Sequence, residues 1–257
     1  MKISSVKDII SVIERIWNGA NIEHLPKWVK DRGCSFADPV ENADLLITGM
    51  NPSFRKGEKE SLEFRHGPSV YNFDCNVWKE RNGRYWDTYW GPIRNMLIDE
   101  QYGINLMHNF DYLDIFHFRE QNQRKISIDI LSRDEIGKKF IVEELNLTQH
   151  IIEDVIKPKL IIVKNKESWA YWGKEKDKGF IWMGYDFVKI RDYECGQLYK
   201  IVGLLDSTDR IAPEITNENT SLKGTLVLFT RHINQYTKRE ERPTAVLLNE
   251  LLSEATR

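Results

Sequence analysis

The sequence has no apolar run of membrane-spanning length, only three cysteines, no marked excess of either charge and no glycine-rich phosphate loop. Each absence narrows what the chain can be. A membrane helix needs about 18 or more consecutive apolar residues, and Met1-Lys2-Ile3-Ser4-Ser5 is not an apolar signal segment. Cys34, Cys75 and Cys195 are odd in number, far apart and without metal-ligand spacing, which suits free thiols in a reducing compartment. A cytoplasmic protein with no membrane contact is expected. Lys and Arg number 37 against 39 Asp and Glu, a formal net charge of −2. Such a chain cannot coat nucleic acid along its length, so any contact of that kind must come from a local basic patch.

What is present is an ordinary globular composition, 41% hydrophobic and 30% charged over 257 residues, enough for one large domain with a full core. Ser5 and Asp8 open a helical pattern carried by Val6, Ile9, Ile10, Ile13, Ile16 and Trp17. Ala43–Thr48 is a short apolar run of the kind a buried parallel strand shows, and it stops at Gly49. Residues 50–84 read as a long loop. Pro92 begins a helix towards Tyr102, Asn105-Leu106-Met107 reads as a second strand, and His108-Asn109 as its C-terminal turn. Ser132-Arg133-Asp134-Glu135 reads as a capping box before a long helix that Pro158 ends. Leu160–Val163 and Thr225–Thr230 are further core strands, and Pro243 starts a last helix. Between them, Phe180–Leu205 has β-rich alternation and reads as a hairpin-like insertion, about 174–222.

Strands and helices alternate with no internal repeat. The expectation is a single α/β domain over 1–257, a three-layer α/β/α sandwich around a central, mostly parallel four-stranded sheet plus the β-rich insertion. In such sheets ligands bind beyond the C-terminal strand ends, and polar motifs follow Thr48, Met107 and Thr230. The first is Gly49-Met50-Asn51-Pro52-Ser53, with Phe64 13 residues past Asn51; the second is His108-Asn109; the third contains His232. Taken singly, Asn-Pro after a strand is a turn, Phe64 a core residue and His232 a structural histidine. Their order and placement at successive strand ends set them apart.

In that order they resemble the uracil-DNA glycosylase superfamily, above all its single-strand-selective monofunctional group, whose first motif reads Gly-Met-Asn-Pro-Gly. The resemblance spans about Ala43 to Tyr236 and implies the uracil-DNA glycosylase fold. It implies that Asn51 positions the attacking water and His232 donates to O2 of the departing base. Gly49, Met50, Phe64 and Asn109 would hold the base, with Phe64 stacking and Asn109 reading the pyrimidine edge. Ser53, Arg55, Lys56, Arg65, Arg231, Asn234 and Lys238 would touch DNA. The implied activity is hydrolysis of the N-glycosidic bond of uracil or a related damaged pyrimidine in DNA, by a monomer with no metal, cofactor or Schiff-base lysine. Two features depart from the family: Ser53 replaces Gly, and His232-Ile233-Asn234 replaces His-Pro-Ser. Two rival readings stand beside it. One is a non-catalytic base, nucleotide or nucleic-acid binding module on the same fold. The other is a metal-dependent nucleotide hydrolase, which needs Asp111 and Asp114 to converge with another carboxylate.

Overall fold

The architecture follows from strands buried on both faces. Leu45–Gly49 (β2) is inaccessible to solvent along its whole length, as are Leu160–Val163 (β7) and Leu226–Thr230 (β10). Such strands carry apolar residues at every position because helices cover both sides of the sheet. The computed structural model describes residues 1–54, 64–67, 90–175, 181–234 and 236–255.

In chain order, α1 (Val6–Trp17) and α2 (Lys27–Arg32) precede β1 (Ser35–Ala37), β2 and β3 (Arg65–Gly67). Then come α3 (Gly91–Leu97), β4 (Ile98–Asp99), β5 (Ile104–Asn105), β6 (Phe110–Asp114), α4 (Glu135–His150), β7 and α5 (Trp169–Trp172). β8 (Tyr185–Tyr193), β9 (Gly196–Leu204), β10 and α6 (Ala245–Ala255) complete the chain. The central sheet has six strands in the order β6-β2-β7-β10-β9-β8. The first four run parallel, and β9 joins β10 antiparallel. The protein is therefore an α/β protein with a mixed sheet. This corrects the expected four strands: the 174–222 segment is not an appendage, because its hairpin pairs with β10 and continues the sheet.

Alternate residues of each strand feed two cores. Leu46, Ile161 and Val227 face α1 and α4, whereas Leu45, Ile47, Ile162 and Leu228 face α3 and α6. Ser5 caps α1, accepting from the Asp8 N–H at 3.3 Å, and Ile9, Ile13 and Ile16 are its buried stripe.

Three local expectations are corrected. The helix from Pro92 ends at Leu97, because Ile98–Asp99 pairs antiparallel with Ile104–Asn105. The long helix is capped by Asp134, whose carboxylate accepts from the Gly137 N–H at 2.9 Å; the Ser132 hydroxyl instead donates back to the Ile128 carbonyl, so the four residues are not a capping box. The second core strand is Phe110–Asp114, not Asn105–Met107. Asp111 reads as a turn former by composition, yet its carboxylate is buried and accepts from the Val40 and Tyr112 N–H groups at 2.9 and 2.7 Å.

Candidate functional site

The C-terminal edge of the parallel strands carries a row of polar residues. Leu113 pairs with Thr48 and Asp114 with Gly49 across β6 and β2. Thr48 also pairs with Val163, and the Lys164 N–H continues that ladder to the Thr48 carbonyl at 3.4 Å. Phe229 pairs with Val163, so Thr230 stands beside Lys164. Asp114, Gly49, Lys164 and Thr230 thus succeed one another across four strands, with His232 two residues past the end of β10. Strand alternation turns Tyr112, Asp114 and Lys164 to the α3 face, and Trp90 meets the Tyr112 ring edge-on at 5.1 Å.

Gly49 shapes this row. A Cβ there would fall 2.0 Å from Asp114 Oδ1 and 2.3 Å from the Tyr112 hydroxyl oxygen. Only a residue without a side chain leaves room for both groups over β2. Burial raises the Asp114 carboxyl to about 6, although the Lys164 ammonium, the Tyr112 hydroxyl and His117 each pull it down. Lys164 is 2% exposed, and its ammonium lies 5.3 Å from the centre of the Tyr112 ring. Solvent reaches His232, yet the protein packed around it is the main cause of its lowered pKa. The Lys164 ammonium adds to that effect and Glu167 opposes it. Burial and the nearby cation therefore favour the neutral imidazole.

Asn51 is buried, and its amide group clasps the neighbouring loop. Its Nδ2 donates to the carbonyls of Pro52 and Glu120 at 3.0 and 2.7 Å, with Phe118 at 3.4 Å, while its Oδ1 is buried with no hydrogen-bond partner among the described residues. Main-chain bonds from Ile115, Phe116 and Glu120 to the carbonyls of Gly49, Met50 and Pro52 tie the same two segments together. These bonds tie the turn to the segment after β6, as a positioning element requires.

The other expected base-binding residues stand elsewhere. Asn109 precedes β6 and pairs with Asp44 at the opposite end of the sheet: its Nδ2 donates to Asp44 Oδ2 at 2.7 Å, and its Oδ1 accepts from the Asp44 N–H at 3.1 Å. Five residues of extended strand put roughly 16 Å between that end and Gly49. The polar strand-end position Asn109 was expected to fill belongs to Asp114. Phe64 stacks on His66 and lines a cavity of about 370 Å³ beside α1, with Ile13, Trp17 and Cys34, whose lining includes neither Asn51 nor His232. Met50 is buried in the α1/α4 core, on the other face of the sheet from Asp114, and lines a cavity of about 300 Å³ with Glu167 and Tyr171.

Of the expected DNA contacts, Arg55 and Lys56 lie outside the described residues. Ser53 is half-buried in the turn, and Arg65 is exposed on β3. Arg231 and Lys238 line a cavity of about 550 Å³ against the β8–β9 turn, where Asp192, Glu194, Glu240 and Glu241 face them. The Asn234 side chain is bound into its own turn, its oxygen accepting from the Tyr236 N–H at 2.7 Å. Among the described residues, the turn after β2 is met by cations that the sequence did not single out. Arg32 and Arg119 flank the Phe54 ring at 4.8 and 5.1 Å, and Arg32 and Lys125 share Glu120 as their carboxylate. Asp111 and Asp114 do not converge, because they lie three apart on β6 and so face opposite sides of the sheet. Among the described residues no three His, Cys, Asp or Glu side chains form a metal-binding group.

Compared with protein-family models, with curated proteins and with solved structures, the chain matches none.

Proposed function

We propose that the C-terminal edge of the sheet receives a pyrimidine base of DNA, uracil or a damaged relative, and that the protein hydrolyses its N-glycosidic bond. This is the activity the resemblance to uracil-DNA glycosylases implies for Asn51 and His232. The observation that carries it is the shared sheet edge: the hydrogen-bonded Gly49–Ser53 turn follows β2, and His232, whose surroundings favour the neutral imidazole, follows β10. The parallel order β6-β2-β7-β10 is compatible with the fold that the resemblance implies. A flipped base would be read by acceptors, the Asp114 carboxyl taking the N3–H of uracil. Bond breaking leaves negative charge on the base, and the His232 N–H would donate to the oxygen that carries it. Asn51 has no proton-abstracting group, so its share is placement of the attacking water.

Release of free uracil from labelled single- and double-stranded oligonucleotides tests this directly. The wild type is expected to release uracil, and both Asn51→Ala and His232→Ala to lose about 100-fold or more in rate. A base-binding module without turnover is the second reading. It is favoured by the place of Asn109 at the far end of the sheet, by that of Phe64 in the cavity beside α1 and by an Asn51 amide already committed to the Glu120 carbonyl. Binding of the same oligonucleotides with no uracil release, at high enzyme and long times, would select it.

A further inference from the structure

Lys164 is a lysine at the end of a core strand, 2% exposed and placed between the two groups the proposed chemistry uses. A buried ammonium lowers stability unless its surroundings compensate. Here the compensation is specific. The strands of Asp114 and Lys164 are two spacings apart, about 10 Å, and between them lies the side-chain-free position of Gly49. Through that gap the ammonium comes over the Tyr112 ring and into electrostatic contact with Asp114. On its other side β10 carries Thr230 and then His232. A leucine would fill this space with less penalty, so the cation is better explained by the site than by the core.

We propose that Lys164 is an electrostatic positioning residue of this site, one fixed cation that acts on Asp114 and His232 together and faces the negative charge left on a departing base. This rests on the N-glycosidic reading for its final clause alone. Among the described residues, the charged or titratable groups acting on Asp114 are Lys164, Tyr112 and His117, and those acting on His232 are Lys164 and Glu167. Removing the cation takes a like charge away from a protonated imidazole, so His232 should become easier to protonate. The same change leaves Asp114 without the first of the influences that lower it, so its carboxyl should titrate higher.

The test is an NMR titration of the His232 imidazole, assigned with a His232→Gln variant, in wild type, Lys164→Met and Lys164→Arg, each checked for fold by circular dichroism. The expected result is a His232 midpoint at least about half a pH unit higher in Lys164→Met, roughly a three-fold change in proton affinity, and near the wild-type value in Lys164→Arg. A residue that only packs against Tyr112 would leave the midpoint unmoved, and an unchanged midpoint in a folded Lys164→Met overturns the proposal. Should Lys164→Met not fold, Lys164→Gln supplies the neutral comparison. Kinetics separate the two readings. If the wild type releases base, Lys164→Met should lower kcat about 100-fold with KM changed less than about three-fold, and an unaltered kcat overturns the proposal. If the midpoint moves but no base is released by the wild type, the coupling stands and the glycosidic reading falls.

Discussion

At the scale of single residues, Gly49 and Asp114 explain each other. The glycine ends a strand, as the sequence suggests, but its reason lies on the neighbouring strand, where a carboxyl oxygen and a phenol occupy the volume its Cβ would need. Gly49→Ala should therefore destabilise the fold by about 1–3 kcal/mol through overpacking, read as a lower urea midpoint with an unchanged slope. Gly67→Ala is the control, since a Cβ there would meet no atom of the described residues within 4 Å. Asn109 shows the limit of motif reading. His108-Asn109 matches in letters, but its amide pairs with Asp44 at the far end of the sheet. The core strand follows Asn109 instead of preceding it: four buried residues and a half-buried Asp114, two of the five being aspartates. Carboxylates inside a core strand look like turn residues to any local rule, and only their hydrogen bonds and neighbours reveal otherwise.

At the scale of elements, boundaries turned on hydrogen bonds that composition does not specify. Asp134 and Ser132 both qualify as caps of α4 by residue type. The structure uses Asp134 on the Gly137 N–H and turns Ser132 back to Ile128. Asp134→Ala should thus cost about 1 kcal/mol of stability in denaturant unfolding, and Ser132→Ala a smaller amount. An equal loss in both would restore the capping box. The β8–β9 hairpin was legible as a hairpin from its alternation over Phe180–Leu205, but not as part of the sheet. Its pairing with β10 joins residues far apart in sequence, with Leu226 opposite Lys200 and Thr230 opposite Gly196.

For the whole molecule, buried and paired carboxyls set opposing dependences on pH. Burial raises Asp111 to about 7 and Asp114 to about 6, above an ordinary 3.8. Both bind a proton more tightly folded than unfolded, so their effect is to lower stability as pH rises from about 4 through 7. Glu214 does the reverse. Burial alone would raise it, but the hydrogen bond with His150 and the N-terminal ammonium bring it to about 2. Its contribution is complete above 4.5 and is lost as pH falls towards 2. The unfolding midpoint against pH should therefore pass through a maximum in the mildly acidic range. Asp111→Asn should flatten the decline on the neutral side, and Glu214→Gln the decline on the acid side. A variant that shifted the whole curve without changing either slope would contradict the assignment.

Sequence alone determined the alternation of strands and helices, the buried runs at Ala43–Thr48, Leu160–Val163 and Thr225–Thr230, and the positions of the Gly49–Ser53 turn and His232 after their strands. These are written locally, in apolar periodicity and in residues that stop a strand or helix. Tertiary structure alone decided strand order, the six-stranded sheet, which side chains meet across it, and the exchange of Asn109 for Asp114 at the edge. Lys164 is the clearest case. In the sequence it is one of 37 basic residues. Only the parallel pairing of β7 with β2 and β10, and the missing side chain at Gly49, bring its charge to Asp114 and His232. Such contacts depend on long-range register, which no local pattern encodes.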